Sequence, residues 1–152
     1  MTRTKYTLAE MQALPDSTFA EPHWRGGGHG PYGLAEFPAA GLRSTAADLA
    51  RFLQAFTSTT NSLLSDTSVA EMLPSNFERG LAWWGSDASF GDHRRDVWTH
   101  GGFMSGVRTH IYLYPQHKAG AIILTNYEGC YFGVQEAVRS SLLKLADTGQ
   151  VT

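Results

Sequence analysis

Val97-Trp98-Thr99-His100-Gly101-Gly102, then Arg108-Thr109-His110-Ile111-Tyr112-Leu113-Tyr114, then Ala119-Gly120-Ala121-Ile122-Ile123-Leu124-Thr125-Asn126 are three short runs rich in β-branched and aromatic residues. Pro115-Gln116-His117-Lys118 stands between the second and third as a hairpin loop. Together, residues 97–126 read as an antiparallel three-stranded meander. Ile122, Ile123 and Leu124 place apolar side chains on both faces of the third strand, which predicts cover on both sides.

Downstream, Val134, Ala137, Val138, Leu142 and Leu145 recur at helical spacing and predict a terminal helix over residues 133–147. Upstream, residues 44–74 read as helical. Thr45, with Asp48 three residues on, caps a stripe of Leu49, Phe52, Leu53 and Phe56. Ser65 or Asp66 caps a shorter helix with Val69, Met72 and Leu73 on one side and Pro74 as its stop. Residues 1–40 hold Pro15, Pro22, Pro31, Pro38 and the cluster Gly26-Gly27-Gly28-His29-Gly30, which punctuates the chain too often for long elements. That region reads mainly as loop, with a short helix possible only at Leu8–Leu14. Sheet plus helices gives an α+β architecture.

Composition narrows the function classes. With 12 Lys+Arg against 14 Asp+Glu in 152 residues the formal charge is −2, which argues against a basic nucleic-acid binder. A hydrophobic fraction of 42% argues against disorder, and no apolar run approaches the ~18 residues of a membrane helix. Met1-Thr2-Arg3-Thr4-Lys5 is followed by a polar, interrupted stretch, so no secretory signal is visible. The single cysteine, Cys130, has no disulfide partner in the chain and leaves the compartment open.

Candidate chemistry concentrates at Trp98-Thr99-His100-Gly101-Gly102-Phe103, where a histidine precedes two glycines that let another backbone come close. A glycine-marked strand end beside a hydrogen-bonded histidine is the plain alternative. An α/β-hydrolase reading fails because that fold needs a Gly-x-Ser-x-Gly elbow, and Ser105 lies between Phe103 and Val107 at the elbow's glycine positions. Ser141-Leu142-Leu143-Lys144 matches Ser-x-x-Lys, the signature of serine acyl-transfer enzymes. Yet Ser141 lies about two turns inside its helix, where its N–H is committed to Ala137 rather than free for an oxyanion, so it reads as a decoy. His23, His29, His93, His110 and His117 show no spacing that assembles a metal site, and no cofactor motif appears. Trp24, Trp83, Trp84 and Trp98 read as core residues more than as a groove.

Taken jointly, the segments resemble the serine β-lactamase-like hydrolases, a family of class C β-lactamases, D-alanyl-D-alanine peptidases, penicillin-binding-protein-like enzymes and esterases. Pro38-Ala39-Ala40-Gly41-Leu42-Arg43-Ser44-Thr45-Ala46-Ala47-Asp48-Leu49-Ala50-Arg51-Phe52-Leu53 resembles the approach to a helix beside the family's active site. Leu63 to Pro74 is similar to the helix that follows. His100-Gly101-Gly102, with Gly106, Pro115, Gly120 and Leu124-Thr125-Asn126, resembles the strand bearing the third catalytic motif and the two strands after it.

The resemblance implies that His100, Gly102 and Phe103 serve catalysis: His100 in the proton network, and the Phe103 N–H, after the motif's last glycine, as an oxyanion donor. It implies that Gly101, Met104 and Ser105 contact a small-molecule or peptide substrate, with the strand edge pairing along it. With the charge, hydropathy and histidine spacing above, no metal, cofactor, nucleic-acid or membrane partner is expected. The family's Ser-x-x-Lys helix and Tyr-x-Asn motif precede these segments in its chain, and neither stands before them here. The chain therefore reads as about the last two-fifths of a family domain, a C-terminal fragment without nucleophile or base, inactive alone. A non-catalytic interaction module derived from the family is the alternative. The fragment's expected partners are the missing N-terminal segment or a second copy of itself, whereas the module would bind a peptide.

Overall fold

The computed structural model describes residues 1–15, 19–58, 63–74, 79–90, 93–129 and 131–148; Cys130 lies outside them. In chain order the elements are α1 (Leu8–Gln12), β1 (His23–Trp24), β2 (Gly27–Gly28), α2 (Phe37–Ala40), α3 (Ala46–Thr57), α4 (Asp66–Met72), β3 (Trp84–Phe90), β4 (His93–Met104), β5 (Val107–Tyr114), β6 (Ala119–Thr125) and α5 (Tyr131–Thr148). The architecture is α+β, with antiparallel pairing throughout both sheets.

The expected three-stranded meander is a four-stranded sheet, order β3-β4-β5-β6, and a separate two-stranded hairpin joins β1 to β2. The additional strand β3 is Trp84-Gly85-Ser86-Asp87-Ala88-Ser89-Phe90, with no β-branched residue in it. Its ladder with β4, from Trp84↔Thr99 to Phe90↔His93, is built from backbone groups that every non-proline residue carries. Composition therefore hid it. β4 likewise runs beyond Gly102 to Met104 and begins at His93 rather than Val97.

Two clusters bury the sheet's faces. On one face Val97, Tyr112, Tyr114 and Ile123 pack with Leu142 and Leu143 of α5. On the other, Trp98 and Leu113 pack with Leu53, Ala55 and Phe56 of α3 and with Trp83, and Val69 and Met72 of α4, with Leu73 just after it, pack against the cluster. Alternation of Val97 with Trp98, and of Tyr112 with Leu113, distributes neighbours between the two faces. β6 contributes Ile123 to the first cluster and Ile122 to the second, so both its faces are covered. The inner face of α5 differs from the expected stripe. Leu142 and Leu143 are buried with Val138 against them, whereas Val134 is 37% exposed. The buried contacts of the helix thus fall in its C-terminal half.

The caps follow the sequence signals. The Thr45 hydroxyl accepts the Asp48 N–H at the start of α3, and the Ser65 hydroxyl accepts the Ser68 N–H at the start of α4. The buried Asp48 carboxylate turns to the N-terminal segment, accepting the Arg3 N–H at 2.9 Å and the Thr4 hydroxyl at 3.0 Å and pairing with Arg51 at 2.8 Å. Burial raises its pKa, but those hydrogen bonds and the charges of the N-terminus and Arg51 outweigh it and hold the carboxyl below its ordinary value. A Lys5–Arg43 bridge ties the same segment down.

Candidate active site

β3 stops pairing with β4 at Trp84↔Thr99, while β4 continues beside β5 to Met104↔Val107. Among the described residues, therefore, only β5 pairs with residues 100–104. Met104 and Val107 close a hairpin across Ser105 and Gly106, which makes them a hydrogen-bonded pair. By alternation Gly102 and His100 also address β5, and the N–H and C=O groups of Gly101 and Phe103 point toward the side that β3 has left. The open edge thus begins at the histidine and includes the amide after the last glycine.

The His100 side chain leaves on the same face as Trp98. Its Nδ1 is 2.6 Å from the Ala82 carbonyl oxygen. Because a carbonyl only accepts, Nδ1 carries the proton, and in the neutral ring Nε2 is left with the lone pair. Ala82 has φ 62°, a left-handed conformation that an alanine adopts at a cost. Its neighbours enforce it: the Leu81 N–H donates to the Met72 carbonyl and the Gly80 N–H to the Trp83 carbonyl, both at 2.9 Å.

The glycines admit their cross-strand partners. A Cβ on Gly101 would meet the His110 ring at 3.2 Å, and one on Gly102 would meet Thr109 Oγ1 at 2.3 Å. His110 also lies against Tyr112, ring centroids 4.5 Å apart. Burial, aided by the nearby His100, lowers the His110 pKa, which favours the neutral ring.

The turn beyond Met104 is clamped from several directions. Tyr32 donates its hydroxyl proton to the Ser105 carbonyl at 2.8 Å. The Glu128 carboxylate accepts the Gly106 N–H at 2.9 Å and pairs with Arg108 at 3.2 Å. The Arg108 guanidinium donates to the Met104 and Val107 carbonyls and lies 3.2 Å from the Phe103 ring centroid. The His23 N–H reaches the Asn126 carbonyl at 2.8 Å and the Gly106 carbonyl at 3.3 Å. Beside this turn a cleft of about 620 Å³ is lined by Trp24 and Arg25, by Gly101, Gly102 and Phe103, and by Tyr127, Glu128 and Phe132 among others.

Residues 1–142 match the family model described as Beta-lactamase. The chain belongs to that family. No curated protein and no solved structure matches it significantly. Family membership points to a hydrolase-type superfamily and fits the α+β fold.

Within this β-lactamase-family chain, the six candidate residues His100, Gly101, Gly102, Phe103, Met104 and Ser105 occupy the end of one strand and its turn. His100 and Phe103 are exposed, Met104 is half-buried, and the Ser105 carbonyl is taken by Tyr32. Ser141 lies inside α5, and its hydroxyl donates to the Ala137 carbonyl at 2.9 Å. Among the described residues no group of three or more His, Cys, Asp or Glu side chains is arranged to hold a metal ion. No helix among them is long and apolar enough to cross a membrane. Ala82, Tyr32, Arg108 and Glu128 escaped the sequence reading because each acts through a contact between segments that no local spacing encodes. Trp24, read there as core, is 51% exposed at the cleft.

Proposed function

We propose that this chain supplies the third-motif strand of a serine acyl-transfer hydrolase acting on a lactam, peptide or ester, with nucleophile and base contributed by a segment carrying Ser-x-x-Lys and Tyr-x-Asn. His100 orients the proton network through Nε2, and Gly101 and Gly102 leave room for the substrate. The Phe103 N–H is one of two oxyanion donors, a contribution of the kind worth about 3–4 kcal/mol in the transition state. Met104 and Ser105 flank the substrate at the turn. One observation carries this reading: the edge of β4 loses its β3 partner at the residue before His100, which leaves the Gly101 and Phe103 amides directed outward.

The reading predicts that the 152-residue protein is not acylated by a fluorophosphonate or by a fluorescent penicillin, because no activated nucleophile is present. Stoichiometric labelling abolished by Ser141→Ala overturns it. The coding sequence upstream of Met1 provides the second test. An in-frame Ser-x-x-Lys followed by Tyr-x-Asn supports the hydrolase; an in-frame stop codon there overturns it in favour of a peptide-binding module that uses the same open edge.

A further inference from the structure

The acyl-transfer reading uses the edge of β4 and assigns nothing to the cleft on the α5 side of the same residues. Trp24, Phe103, Tyr127 and Phe132, which line it, are 51, 72, 38 and 81% exposed. Aromatic surface gathered around one cavity gains most from a planar apolar guest, which stacks on the rings as it leaves water.

The polar lining gives the guest a sign. Glu128 neutralises Arg108 at 3.2 Å, His110 is disposed to stay neutral by burial, and Arg25 forms no ion pair among the described residues. The balance is one positive charge, at the tip of the β1–β2 hairpin. A cationic guest is disfavoured twice, by Arg25 and by the Arg108 guanidinium already lying over Phe103. Gly101 and Gly102 line the cleft and also form the open edge, so a group seated here is within one small molecule's reach of the Phe103 N–H.

Resting on the acyl-transfer reading, we propose that this cleft receives an aryl group bearing a carboxylate, the part of the substrate beside the scissile carbonyl, with Trp24 and Phe132 against the ring and Arg25 taking the carboxylate. The test is titration of the 152-residue protein with 2-naphthoate, followed by tryptophan fluorescence and by amide chemical shifts. Saturable binding is expected, with shifts at Gly101, Gly102 and Gly129 and none in α4. Arg25→Gln weakens 2-naphthoate about tenfold and leaves the neutral 2-naphthamide unchanged; Trp24→Ala weakens both. Arg79→Gln, whose side chain lies over Trp84 and is not part of the cleft lining, changes neither. The inference is overturned by absence of saturation, by equal affinity for naphthoate and naphthamide, or by shifts centred elsewhere. This binding needs no acylation, so its failure leaves the labelling and upstream-sequence tests standing, and failure of those leaves the binding result standing.

Discussion

His100 Nδ1 lies 2.6 Å from the carbonyl oxygen of Ala82, a residue whose backbone is held at φ 62° by the loop that precedes β3. A left-handed alanine is an expense that the fold sustains at one end of the open edge, and its product is a fixed tautomer for the exposed histidine. Nitrogen-15 shifts of the neutral His100 ring should show a protonated Nδ1 and a pyridine-like Nε2; the opposite tautomer refutes the assignment. Ala82→Val should unfold about 1–2 kcal/mol more easily than Ala82→Gly in urea, because a β-branched side chain tolerates positive φ least. His100→Ala should cost less than about 1 kcal/mol of stability. In the assembled enzyme the same change should lower activity per folded molecule severely.

His110 gives the fold a pH dependence of known sign. Burial depresses its folded pKa below the unfolded value near 6.5, so the unfolded chain binds the proton more readily. The stabilising contribution is complete above the unfolded pKa and is lost as pH falls through the folded one. Urea midpoints should therefore drop between about pH 7 and pH 5, and His110→Phe, which keeps a ring beside Gly101, should flatten that part of the profile. An unchanged slope in the variant refutes the assignment.

Gly106 combines φ 72° with backbone crowding, since a Cβ there would stand 2.8 Å from the His23 nitrogen and 3.0 Å from the Pro22 carbonyl carbon. Neither atom belongs to a side chain that rotates away. Gly106→Ala should cost about 2 kcal/mol. Gly26→Ala, where nothing lies within 4 Å, should stay within about 0.5 kcal/mol of the parent. Equal effects in thermal or urea unfolding would show that the clamp on the β4–β5 turn yields freely.

What the sequence disclosed, and what it hid, follows from the range over which each signal acts. The strands around Tyr112 and Ile123 and the helix behind Thr45 announce themselves through alternation, 3.6-residue spacing and a cap, all readable within a dozen residues. His100-Gly101-Gly102 was legible as a motif. Its open edge was not, because openness depends on where β3 ends, and Trp84 to Phe90 lacks the composition of a strand. The Ala82, Tyr32 and Glu128 contacts join positions 18, 73 and 22 residues apart, beyond the reach of any local pattern.

The far side of the sheet carries the last expectation. β6 pairs with β5 from Ala119 to Thr125 and has no strand on its other edge among the described residues. Ala121 and Ile123 belong to hydrogen-bonded pairs with Tyr112 and His110, so the backbone groups of Gly120, Ile122 and Leu124 face outward. Leu124 is 41% exposed beside them, and Val134 of α5 is 37% exposed. An unpaired edge flanked by apolar side chains is a template for another strand. The protein should therefore self-associate with rising concentration in light scattering, and Leu124→Lys should shift it toward monomer, since an edge lysine opposes pairing without entering either core cluster. Leu63→Lys, at a residue 89% exposed and outside the sheet, serves as the control for apolar surface in general. A concentration-independent monomer, or equal effects from the two lysines, would mean that β6 is not the associating edge.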